Sequence, residues 1–66
     1  MKLFQFNSES RRHGTQAYIF VVAPTLGEAE KIAKEKLISE GMRPHVELVG
    51  ELEVSASVKV GVFDIF

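Results

Sequence analysis

Arg11-Arg12-His13 is the most chemically pointed stretch of the chain. Two guanidinium groups and an imidazole on one loop could grip a phosphate or an acidic partner, because arginine offers a fork of donors that matches such oxygens. Glu9 lies close enough in sequence to dilute that charge, and a single aromatic ring, Tyr18, follows. A solvated hairpin tip explains the same letters, since charged loop tips are common. His13 as a general base would need a partner to orient it, and none is identifiable. His45 follows Pro44 at a strand entrance and reads as a boundary residue. Glu47, Glu51 and Glu53 form an acidic stripe, but next neighbours on one strand face stand about 7 Å apart, too far to share a small metal ion. A solvated strand face is the simpler reading.

No other catalytic pattern is present. Serines stand at positions 8, 10, 39, 55 and 57, none within a G-x-S-x-G elbow, and there is no cysteine to act as nucleophile. Glycines 14, 27, 41, 50 and 61 are scattered singly, so no phosphate-cradling loop is formed. The expectation is a protein that is not an enzyme, with no cofactor and no metal.

Composition narrows the class. At 66 residues the chain makes one domain, residues 1–66, with a core that buries only about 60% of the surface the unfolded chain exposes. Without cysteine, disulfides and thiolate metal sites are excluded, which leaves self-association or a well-packed small core. Apolar residues at 45% and charged residues at 26% belong to a globular chain rather than a disordered one. A net charge of −1 predicts no global attraction to nucleic acid or to anionic membranes. No apolar run approaches the roughly 20 residues that cross a bilayer, so no membrane partner is expected. The start, Met1-Lys2-Leu3-Phe4-Gln5-Phe6, turns polar at once and lacks the apolar stretch of a secretory signal. A cytoplasmic location is the expectation.

The elements that must position these residues read as follows. Thr25 and Glu28 make a T-x-x-E capping box behind Pro24, and Gly41 is a natural helix stop, so a helix is predicted from 25 or 26 to about 40. Leu26, Ala29, Ile32, Ala33 and Leu37 share its apolar face. Gln16 to Ala23 predicts a strand that is apolar on both faces, and Lys2 to Phe6 a shorter one, joined by a polar loop over 7–15. After the helix, Val46, Leu48, Gly50, Leu52 and Val54 alternate with Glu47, Val49, Glu51 and Glu53. Ser55-Ala56-Ser57 supplies a turn, and Val58, Val60 and Val62 resume the alternation. A three-residue hairpin turn sets Leu52 against Val60, Glu53 against Lys59 and Val49 against Phe63. A tight turn at Gly50-Glu51 is the competing register.

The order is therefore ββαββ, an α+β fold with a four-stranded, mainly antiparallel sheet and one helix packed on one face. The helix covers only one side. Tyr18, Phe20 and Val22 occupy one face of the second strand and Ile19 and Val21 the other, so an apolar set must remain uncovered. Ile19, Val21, Val49, Phe63 and Ile65 are the expected interaction surface, with Leu3 as a neighbour. The alternative is that the sheet twists and the 7–15 loop or the terminus folds across this face, or that a bulge at Gly61 turns Phe63 and Ile65 inward.

The stretch from Tyr18 to Gly41, with Thr25, Glu28-Ala29, Ile32-Ala33 and Leu37, resembles the strand-then-helix unit of small accessory and counter-defence proteins encoded by phages and mobile elements. That resemblance, over about a third of the chain, implies action by binding. Val58-Lys59-Val60-Gly61 with Phe63 is similar to the last strand of the dodecins, which are small flavin-binding shells. The chain departs from dodecins in its added N-terminal strand and in having no tryptophan to stack on a flavin, so no ligand site carries over. The combined expectation is a protein-interaction module that self-associates, as a dimer first, through the uncovered sheet face, with an unknown protein as a further partner. The alternative is a nucleic-acid-binding protein that uses Arg11, Arg12 and His13.

Overall fold

The computed structural model describes residues 1–10 and 15–65. The elements are β1 (Lys2–Ser10), β2 (Thr15–Ala23), α1 (Leu26–Ser39), β3 (Glu47–Glu53) and β4 (Gly61–Ile65). They form the expected ββαββ fold, with one sheet of order β3-β1-β2-β4 and every pairing antiparallel.

The helix begins and ends where local chemistry dictates. Thr25 is extended and its Oγ1 accepts the Glu28 backbone N–H at 3.3 Å, which satisfies one of the helix's orphan donors. At the other end Gly41 takes φ 73°, a left-handed conformation that a side chain would resist. The Gly41 N–H then donates to the Ile38 carbonyl at 3.0 Å and the Met42 N–H to the Leu37 carbonyl at 2.8 Å. This pair of bonds is the Schellman stop. Ala29, Ala33 and Leu37 are buried and Ile32 packs beside them, as the periodicity requires. Leu26, in the first turn, stays exposed.

The first hairpin is longer than its composition predicts. Pairing runs without interruption from Lys2↔Ala23 to Ser10↔Thr15, so most of the polar stretch 7–15 belongs to the strands. Ladder bonds come from backbone groups, and polar side chains do not prevent them. Phe4 and Phe6 project to the helix side, their rings stacked with centroids 6.3 Å apart, opposite Val21 and Ile19. With Ala23, Ala29 and Ala33 they form the core, and Val62 and Ile65 pack against it from β4. Small alanines let the helix approach the aromatic layer closely.

The expected hairpin between the last two strands is not formed. β3 pairs with β1 and β4 pairs with β2, which places them on opposite edges of the sheet. Leu52 therefore faces Leu3 rather than Val60, and Val49 and Phe63 do not meet. The first hairpin offers two open edges, and one strand on each extends the ladder on both sides of the apolar centre. The turn at 55–57 does form, with the Val58 N–H donating to the Ser55 carbonyl at 3.1 Å. Instead of folding back, the chain crosses the sheet's end and enters β4 at Gly61, where φ is 143°. Val58 and Val60 thus precede the final strand.

Phe6 is fully buried at the centre of this layer. Phe6→Ala is expected to cost about 3–5 kcal/mol, a large share of the stability of so small a domain. Urea denaturation followed by circular dichroism measures it.

Candidate interaction surface

Register decides which residues share a face. On the helix side lie Glu53–Lys2–Ala23, Glu51–Phe4–Val21–Val62 and Leu48–Phe6–Ile19–Ile65. On the opposite side lie Leu52–Leu3–Val22–Gly61, Gly50–Gln5–Phe20–Asp64 and Glu47–Asn7–Tyr18. Ile19 and Val21 are therefore core residues beneath the helix, not the surface expected of them, and the β2 residues on the side opposite the helix are Tyr18, Phe20 and Val22, of which Val22 is buried. Ile65 likewise packs inward.

Two bulges account for the rest. In β3 the register jumps so that Gln5 faces Gly50 and Phe6 faces Leu48, leaving Val49 as the extra residue. In β4 Phe20 faces Asp64 and Val21 faces Val62, leaving Phe63 as the extra residue. A bulge reverses the alternation on its far side. It sends Leu48 to the helix side and Leu52 to the other, and it turns Ile65 into the core. Val49 and Phe63 remain exposed, 53% and 67%, at opposite edges. The inward turn of Ile65 thus arises from a bulge at Phe63 rather than at Gly61.

The same shift divides the acidic stripe. Glu51 and Glu53 lie on the helix side, where Lys2 Nζ reaches Glu51 Oε1 at 3.4 Å, whereas Glu47 lies opposite. The helix packs over β2, β4 and β1 and does not reach β3, so this pair is solvated and contributes little. Among the described residues no three His, Cys, Asp or Glu side chains cluster to hold a metal ion, and no helix is long and apolar enough to cross a membrane. His45 is exposed, its backbone N–H donating to the Arg43 carbonyl at 2.8 Å. Arg11, Arg12 and His13 lie outside the described residues.

The uncovered face has an apolar centre. Leu3 and Phe20 are half-buried, Val22 is sealed, and Leu52 is 64% exposed beside them. Between β3 and β1 the surface sinks into a shallow hollow of about 270 Å³, lined by Leu3, Gln5, Phe20, Gly50, Glu51 and Leu52. Leu52 and Gly50 escaped the sequence reading as surface residues because the bulge at Val49 leaves no local signature.

Two buried polar atoms, Asn7 Oδ1 and Ser8 Oγ, have no hydrogen-bond partner among the described residues, and Ser8 is only 1% exposed. An unsatisfied buried hydroxyl costs about 1–3 kcal/mol. Ser8→Ala is expected to raise the unfolding midpoint in urea, by about 1 kcal/mol of stability.

No family model, curated protein or solved structure matches the chain.

Proposed function

We propose that this protein is a non-catalytic interaction module of the cytoplasm that self-associates through the sheet face opposite the helix. The observation that supports this most directly is the exposure of Leu52 next to Leu3 and Phe20 on a face with no second layer. A contiguous apolar patch on a small monomer is usually a site of contact. Burying one leucine side chain is worth about 1.5–3 kcal/mol, a useful supplement to a core this small.

The edges are poor alternatives. Each edge strand carries a bulge, and the β3 edge adds Glu47, Glu51 and Glu53. Bulges and charges are the devices by which proteins prevent edge-to-edge pairing. Antiparallel pairing of two β3 strands centred on Gly50 would set Glu47 against Glu53, like charge against like. A face-to-face contact avoids this. The likeness to small accessory proteins that act by binding agrees with such a role. Nucleic-acid binding would rest on Arg11, Arg12 and His13, which lie outside the described residues.

Light scattering over a wide concentration range tests the proposal. The expected result is a mass that rises toward a dimer in the wild type and stays monomeric in Leu52→Glu, with unchanged circular dichroism. A wild type that remains monomeric throughout would overturn it.

A further inference from the structure

We draw no further inference here: the strongest candidate, the shallow hollow lined by Leu3, Phe20, Gly50 and Leu52 on the sheet face opposite the helix, carries nothing because nothing in the structure shows what covers it.

Discussion

A single helix must serve a sheet whose central strands are apolar on both sides, and most of the molecule follows from that mismatch. β1 and β2 commit Phe4, Phe6, Ile19 and Val21 to the helix and build the core there. The opposite face carries further apolar residues that the helix does not cover, Leu3 and Phe20 half-buried and Val22 buried. Among the described residues α1 is the one helix, and it packs over β1, β2 and β4.

Both edges of the sheet are irregular. β3 and β4 each contain one residue more than the strand beside them needs, and each extra residue distorts the ladder at the point where another chain would otherwise align. Flat, regular edges would permit addition of further strands, and the two bulges make these edges irregular.

What was legible in the sequence was what local chemistry determines. Thr25 and Gly41 bound the helix because a cap and a left-handed stop act within a few residues, and the apolar spacing of Ala29, Ala33 and Leu37 needs no knowledge of the rest. The two-faced character of β2 was equally plain, and so was the need for one uncovered set. Which set was not, because the face of a strand is known only once its partner is. Strict alternation from Val46 to Val54 looked like one continuous stripe, yet the extra residue at Val49 divides it. Strand order was misread for a related reason: a short serine-rich turn is compatible with a hairpin or with a corner on the way to a different neighbour. Local letters do not distinguish the two.

The wide separation of the outer pairings also bears on how the chain is assembled as it is made. Lys2 meets Glu53 across almost the whole sequence, whereas β1, β2 and the helix are consecutive. During synthesis the hairpin and helix can close on one another while the outer flank of β1 still waits for residues 47–53. For that interval the outer backbone of β1 lacks the partner strand it has in the finished sheet.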